Sequence, residues 1–499
     1  MLKTGAEHLD SLRDGRVVYI GGERVDDVTT HPAFAAAART VAAIYDMKRA
    51  PENLDITSYE EDGERFSSYY LRPRSQAELE KRTRTHKLIA DMTHGLFGRS
   101  PDHVAGLITG LAMKPEVLDQ AGPGYRDNLL AHFDHMRKHD VYASYAVVPP
   151  PGIRDREIYS GETREDPSLR VVAENDGGVV ISGMKMLATA AVFANEILIG
   201  NLLPLAPGFG SYAITCMLAV NTPGLSLWPR RPYAMGVDAE FDYPLSYKYD
   251  EGDAVVVCED VHVPWENVFI HDDAELSRAC YIMTPAHCFS NHQSNVRFWS
   301  KMSLLVGLAS RICESTGNDK IPAVREQLGR LAALEGAIAG MVHGQLHAWE
   351  DWPGGDNGYV CFNRRYMYAA LNWCTENHSA IIDLVRELIG AHPLQMPADA
   401  SLLADPKLRE WFESRFGTPF MKPVERWKLL KLAWDLIGSE FAGRHTLYEK
   451  FYAGNSVVVR NQSFREAPWD DFHAIVDDAL AAIPEPQPVF DENATTAQS

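Results

Sequence analysis

No CxxC pair occurs among the seven cysteines, at positions 216, 258, 280, 288, 313, 361 and 374 of the 499 residues, and their number is odd. Most sit in apolar contexts such as Val255-Val256-Val257-Cys258, so buried, reduced thiols are expected rather than a disulfide framework. No window approaches the roughly 18 consecutive apolar residues of a membrane span, so no membrane association is expected. The first residues, Met1-Leu2-Lys3-Thr4-Gly5-Ala6-Glu7-His8, lack the charged-then-apolar order of a signal peptide, and the expected location is the cytoplasm. Basic charge is also scarce: 48 Lys+Arg stand against 68 Asp+Glu, a net charge of -20. The densest basic run is Lys81-Arg82-Thr83-Arg84. A nucleic-acid partner, which needs clustered Lys and Arg, is excluded.

Several motifs are missing as well. The nearest approach to GxGxxG, Gly208-Phe209-Gly210-Ser211-Tyr212-Ala213, follows Pro204 and Pro207 and leads into a strand, the wrong context for a dinucleotide fingerprint. There is no GxxxxGK[ST] and no GxSxG. His343 and His347 are four apart, but Gly344 replaces the glutamate of HExxH; His287, Cys288 and His292 lack a clear fourth ligand. No metal is expected.

What is present, at 45% hydrophobic and 23% charged, is an ordinary globular composition long enough for two or three domains. Residues 1–140 read as an N-terminal helical domain, with helix-forming Ala35 to Tyr45, an apolar three- and four-residue spacing from Gln76 to Leu96, and a helix after Ser100-Pro101, where Ser100 fits an N-cap. From 141 to 275 short β-rich runs such as Gly178-Val179-Val180-Ile181-Ser182, broken by Gly, Pro, Asn and Asp, predict an antiparallel barrel or sandwich. From 276 to 483 helical periodicity returns over Trp299–Cys313, Pro322–His347, Cys361–Cys374, Ser379–Ile389 and Val424–Ile437, a C-terminal bundle. Residues 484–499, rich in proline and polar side chains, read as a flexible tail. The fold class is α+β.

Thr29-Thr30-His31-Pro32-Ala33-Phe34, Gly98-Arg99-Ser100-Pro101-Asp102, Asp242-Tyr243-Pro244-Leu245-Ser246, Val263-Pro264-Trp265-Glu266-Asn267-Val268 and Gly438-Ser439-Glu440-Phe441-Ala442-Gly443-Arg444-His445 occur in one order. Together they resemble the flavin-dependent 4-hydroxyphenylacetate 3-hydroxylase and chlorophenol monooxygenase family. The resemblance implies an acyl-CoA-dehydrogenase-like fold and the oxygenase component of a two-component system, a homotetramer. Such a component takes FADH2 from a separate flavin reductase and uses O2, through a flavin C4a-hydroperoxide, to hydroxylate a phenolic substrate, free or carrier-tethered, ortho to its hydroxyl. That flavin species must be kept from water, and the Gly-Pro loop 201–211 is a candidate cover.

For catalysis the resemblance points to His292 as the base at the phenol oxygen and Arg99 as the anion holder. His103 stands where the hydroxyphenylacetate branch has Tyr, and Tyr145 where it has His; the two types are exchanged, with side-chain pKa values about 3.5 units apart, so both are pocket candidates with open acid/base roles. Flavin contacts carry over to Tyr145, Pro151, Arg154, Arg156, Thr189, Arg444, Tyr448, Tyr452, Ala453 and Gly454. An iron–sulfur dehydratase of the same fold would need cysteines where Arg99, His103 and Trp299 stand. An acyl-CoA-dehydrogenase-like flavin enzyme and a non-catalytic binding protein of the same fold are the alternative readings.

Overall fold

The computed structural model describes residues 2–151, 166–202, 205, 208–237, 239–352 and 358–485. Arg154, Arg156 and most of the tail lie outside the described residues. Of the helices in the N-terminal part, α1 (Ala35–Arg49) buries its alanine-rich start, where small side chains allow close packing. Helix α2 (Gln76–Met92) begins at Ser75, whose hydroxyl accepts from the Glu78 N–H at 3.3 Å, one of the orphan donors a helix start must satisfy. Every residue of α3 (Pro101–Met113) is buried, as an all-round apolar helix must be; α4 (Tyr125–His139) follows. A Cβ on Gly110 would lie 2.3 Å from the Ala286 nitrogen, so α3 crosses the start of the next helical block backbone to backbone.

That block contains α5 (Ala286–Thr316), α6 (Pro322–His347), α7 (Arg364–Ile389), α8 (Pro423–Ile437) and α9 (Glu440–Phe451). The windows expected at 361–374 and 379–389 fuse into α7, because nothing in Thr375-Glu376-Asn377-His378 breaks a helix. The window 299–313 is the inner part of a 31-residue helix that starts at Ala286.

The strands form two open sheets in place of a closed barrel. Strands β1 (Val18–Ile20), β2 (Glu23–Val25), β3 (Ser58–Glu61), β4 (Glu64–Ser67), β5 (Ala143–Ala146), β6 (Arg170–Asn175) and β7 (Gly178–Thr189) are followed by β8 (Glu196–Ile199), β9 (Thr215–Ala219), β10 (Leu225–Pro229), β11 (Asp253–Pro264) and β12 (Val268–Ile270). One sheet has the order β2-β1-β10-β11-β7-β6, the other β12-β9-β8-β5, and β3 pairs with β4 alone. Pairing is antiparallel except for β1 with β10 and β5 with β8, which are parallel. The first of these brings residues from the first 25 into the β layer; three-residue strands are too short to carry a readable period. A last hairpin pairs β13 (Glu350–Asp351) with β14 (Val360–Cys361). Between β7 and β11 the register slips at Ala254/Val256, a bulge that leaves Leu187 at φ +60° and exposed, beside buried Ala188 and Thr189.

The seven cysteines are all unpaired and buried, as the sequence predicts. No helix among the described residues is long and apolar enough to cross a membrane.

Helix α1 and the β3–β4 hairpin are tied to the end of α4 by a buried ion pair. Lys48 Nζ donates to both Asp140 oxygens (3.0 and 2.8 Å), to Ser67 Oγ (3.0 Å) and to Tyr69 Oη (2.5 Å). Removing one partner leaves the other charge buried and alone. Lys48→Met is therefore expected to cost about 3–5 kcal/mol of stability, read as a lowered midpoint in chemical denaturation.

Candidate functional site

The loop Leu96-Phe97-Gly98-Arg99-Ser100 enters α3 where the helical layers meet the β layer. Gly98 lets the Tyr448 ring come close: a Cβ on it would lie 2.3 Å from Tyr448 Oη. The close approach seats Arg99 among aromatic rings. Its guanidinium carbon lies 3.9 Å from the Tyr452 ring centre and 5.1 Å from that of Tyr145, cation–π geometry in a desolvated place. Arg99 Nη2 donates to the Tyr452 carbonyl at 2.9 Å, and Nη1 faces His103 Nε2 at 3.1 Å, one turn along α3. The His103 ring lies 5.6 Å from Tyr145, on β5, and its Nδ1 is 3.0 Å from Gln293 Oε1. Burial, then the Arg99 charge, hold His103 well below the usual imidazole range, so it is neutral.

A chain of charges joins this pocket to the other candidate flavin residues. Buried Glu251 accepts the Arg99 backbone N–H through Oε1 (2.6 Å) and Arg444 Nη1 through Oε2 (2.9 Å). Arg444 donates Nη2 and Nε to Asp253, at 2.7 and 3.0 Å, and Asp253 Oδ1 also accepts the Thr189 hydroxyl at 2.8 Å. The Asp253↔Thr189 register of β11 on β7 makes this contact possible. Arg444 lies 3.9 Å over the Tyr448 ring. Burial opposes ionisation of Asp253, but the charges and hydrogen bonds of Arg444 with Arg230 and Thr189 hold it well below the usual carboxylate range. Beneath, Arg297 and Lys301 share Glu449, and Arg297 lies 4.6 Å over the Tyr452 ring.

The structure thus brings together Arg99, His103, Tyr145, Tyr448 and Tyr452, and connects Thr189 and Arg444 to them. Gly454 turns the chain at φ +98° after α9, its N–H donating to the Phe451 carbonyl at 3.0 Å, and Ala453 packs against the cluster that contains Phe289 and Phe362. Pro151 is exposed at the edge of the described chain, and of loop 201–211 residues 203, 204, 206 and 207 lie outside it. His292 stands apart. Its Nδ1 lies 2.7 Å from Gln345 Oε1, its Nε2 2.8 Å from Thr83 Oγ1, and its ring stacks on Phe362 at 3.6 Å. No hydrogen bond or ring contact joins it to Arg99, His103 or Tyr145 among the described residues. One step along α5 turns a side chain by about 100°, so Gln293, not His292, meets His103. Ser100 stands at the N-cap position of α3 with Pro101 first in the helix, as expected, but its hydroxyl donates to Asp102 Oδ1 (2.5 Å) and makes no capping hydrogen bond.

Sequence reasoning missed Gln293, Glu251, Asp253, Arg297 and Glu449. The run Asp250-Glu251-Gly252-Asp253 looks like an ordinary turn; only the i, i+4 spacing of Arg297 and Lys301 on α5 hinted at a shared partner.

The residues present suit a planar, polar-edged cofactor. Tyr145, Tyr448 and Tyr452 supply flat walls, Leu187 projects beside Thr189, and Tyr448 Oη is buried without a hydrogen-bond partner among the described residues, a polar group that a bound molecule would satisfy.

An N-terminal helical part, two open sheets and a C-terminal helical block, with Arg99 buried among Tyr145, Tyr448 and Tyr452 where they meet, make this a chain of the α+β class. Models of the N-terminal and C-terminal parts of 4-hydroxyphenylacetate 3-hydroxylase match residues 4–270 and 277–481, and the chain belongs to that family. It is 33% identical over 469 residues to the oxygenase component of 4-nitrophenol 2-monooxygenase from a Rhodococcus species, covering 92% of this chain and 88% of the relative. It is 30% identical over 472 residues to the oxygenase component of 4-hydroxyphenylacetate 3-monooxygenase from Pseudomonas aeruginosa, covering 93% and 89%. A solved oxygenase component of 4-hydroxyphenylacetate 3-monooxygenase, complexed with FAD and 4-hydroxyphenylacetate, superposes with a TM-score of 0.88 at 27% identity over 96% of this chain and 98% of that one.

Arg444 holds two carboxylates at once, and its removal has a predictable pH signature. The Asp253 pKa is depressed in the folded state, so its contribution is present above the unfolded carboxyl value of about 3.9 and is lost as pH falls toward the folded one. In Arg444→Met the folded pKa of Asp253 rises, and acid unfolding, followed by circular dichroism, is expected at a higher pH than in the unmodified protein.

Proposed function

We propose that this protein is the oxygenase component of a two-component system that hydroxylates a phenol ortho to its hydroxyl, taking reduced FAD from a separate flavin reductase and O2 from solution. The observation that carries the reading is the buried Arg99 guanidinium, held among three tyrosine rings with neutral His103 beside it. In such a low-dielectric site a fixed cation favours phenolate over phenol, and a neutral imidazole within reach takes the proton. A phenolate is far more electron-rich at its ortho carbon than a phenol. Bound reduced FAD supplies the chemistry that activates O2.

Each residue then has a part. Arg99 holds the developing oxyanion. His103 takes the base role expected of His292, because His292 has both ring nitrogens engaged by Thr83 and Gln345; His292 supports the α2–α5 contact behind the pocket. Tyr145 forms the wall shared by substrate and flavin. Thr189, Arg444, Tyr448, Tyr452, Ala453 and Gly454 line the flavin side, with Pro151 contributing from the segment after β5; Arg154 and Arg156, expected to contact the flavin, lie outside the described residues.

The family's named substrates include 4-nitrophenol and 4-hydroxyphenylacetate. A relative from Streptomyces globisporus, 28% identical over 459 residues, is named for a chlorinated hydroxyphenyl group carried on a peptidyl-carrier protein. Both free and carrier-tethered phenols are therefore substrates to test. A homotetramer is supported by the apolar side chains left exposed at the C-terminal end, among them Phe464, Trp469, Phe472, Ile475 and Leu480, a face that calls for a covering partner. Seven buried free thiols favour the reducing cytoplasm.

The test mixes the protein anaerobically with reduced FAD, admits O2, and measures hydroxylated product per reduced FAD consumed across a panel of phenols. Product from at least one phenol is expected; reoxidation to hydrogen peroxide alone with every phenol would overturn the reading. In Arg99→Met the product yield is expected to fall by about 10²–10³-fold, the loss typical of one oxyanion donor.

A further inference from the structure

We propose that Gln293 is a positioning residue: it fixes the tautomer of His103 so that Nε2 keeps an unprotonated lone pair, which Arg99 Nη1 yields to the phenol as the phenol oxygen binds the guanidinium. The proposal rests on the phenol hydroxylation argued above.

A guanidinium only donates, so His103 Nε2, 3.1 Å from Arg99 Nη1, carries no proton. A neutral imidazole must then hold its proton on Nδ1, and that N–H needs an acceptor in this buried place. Gln293 Oε1 provides it at 3.0 Å. The amide itself is oriented by what surrounds its other end. Among the described residues the hydrogen-bond partners of Gln293 Nε2 are all oxygens: the Gly98 carbonyl at 3.4 Å, Ser100 Oγ at 3.3 Å and Asp102 Oδ1 at 3.4 Å. Turned over, the amide would set oxygen against oxygen there and an NH2 against Nδ1–H. Asp102 is in turn fixed by the Ser100 hydroxyl and by His86 Nδ1 at 2.6 Å. Tyr452 Oη, 3.4 Å from Gln293 Oε1, gives its proton to the Gly98 carbonyl at 2.9 Å.

The groups that bear on His103 from each side are Arg99 before α3, Arg297 on α5, His86 on α2, and the phenols of Tyr145 and Tyr452; the first three depress its protonation, and the carboxylate of Asp102 lies beyond Gln293. The imidazole is therefore kept ready to accept. As the phenol oxygen enters, it takes over the Arg99 Nη1–H bond that Nε2 accepts at 3.1 Å; the phenol O–H then breaks, its proton passes to the freed Nε2 lone pair, the phenolate stays beside Arg99, and the imidazolium keeps its Nδ1–H on Gln293.

The test uses the full chain with reduced FAD, O2 and the best phenol from the panel, with product per reduced FAD measured between pH 5 and 9 and the thermal midpoint followed in parallel. Gln293→Glu places a carboxylate opposite Nδ1–H and favours the imidazolium; the acid limb of the yield is expected to move up by about one pH unit or more. Gln293→Met removes the acceptor and is expected to lower the yield about tenfold or more. In a His103→Tyr background, where no tautomer exists to fix, Gln293→Met is expected to have less than about a threefold further effect. An unshifted acid limb in Gln293→Glu, or losses that multiply in the double variant, would overturn the role of Gln293 while product from the unmodified protein left the hydroxylase reading standing. No product from the unmodified protein with any phenol would end both.

Discussion

A guanidinium withdrawn from water dictates much of the architecture around it. Arg99 cannot shed its charge, and burying an unpaired ion is prohibitive, so the fold must bring compensation from every side. Tyr145 comes from the four-stranded sheet and Tyr452 from the end of α9, each offering a negative ring face. The carbonyl of Tyr452 and the ring of His103 take the N–H groups. Glu251 reaches in from the turn before β11, bonding to the Arg99 backbone. Three layers of structure are thus committed to one side chain.

Around that centre, charges alternate. Glu251 and Asp253 bind Arg444; Glu449 binds Arg297 and Lys301; Asp253 also meets Arg230. Each ion sits next to one of opposite sign, the arrangement that lets several buried charges coexist in a low dielectric. The network runs from β7 and β11 through α9 to α5, so the relative position of sheet and bundle is set by electrostatics as well as by apolar packing. Helix α9 is central to this, with Arg444, Tyr448 and Glu449 within two turns and Tyr452 just beyond its end.

Much of this was legible in the sequence. The change of period from helical to alternating and back matches the order of the layers, and the Gly98-Arg99-Ser100-Pro101-Asp102 motif falls on the loop that buries Arg99 among tyrosine rings. What escaped has physical reasons. Strand β1 has three residues and pairs in parallel with a strand some 200 positions later, and no local pattern encodes such a partner. Neighbouring residues on a helix point about 100° apart, so distinguishing His292 from Gln293 required the true phase of α5. Ser100 takes the expected N-cap place, while its hydroxyl is turned to donate to Asp102 Oδ1 and not to accept from the helix start.

The buried thiols acquire meaning beside an oxygen-using pocket. A flavin oxygenase of the proposed kind releases some hydrogen peroxide whenever substrate is missing, and that oxidant attacks thiolates, not thiols. Burial pushes Cys258 and Cys280 up to about 12 and raises Cys216, Cys288 and Cys374 as well. At neutral pH these sulfurs are almost wholly protonated and out of reach of solvent. In idle turnover of the proposed kind, reduced flavin is spent while these five thiols stay buried and protonated.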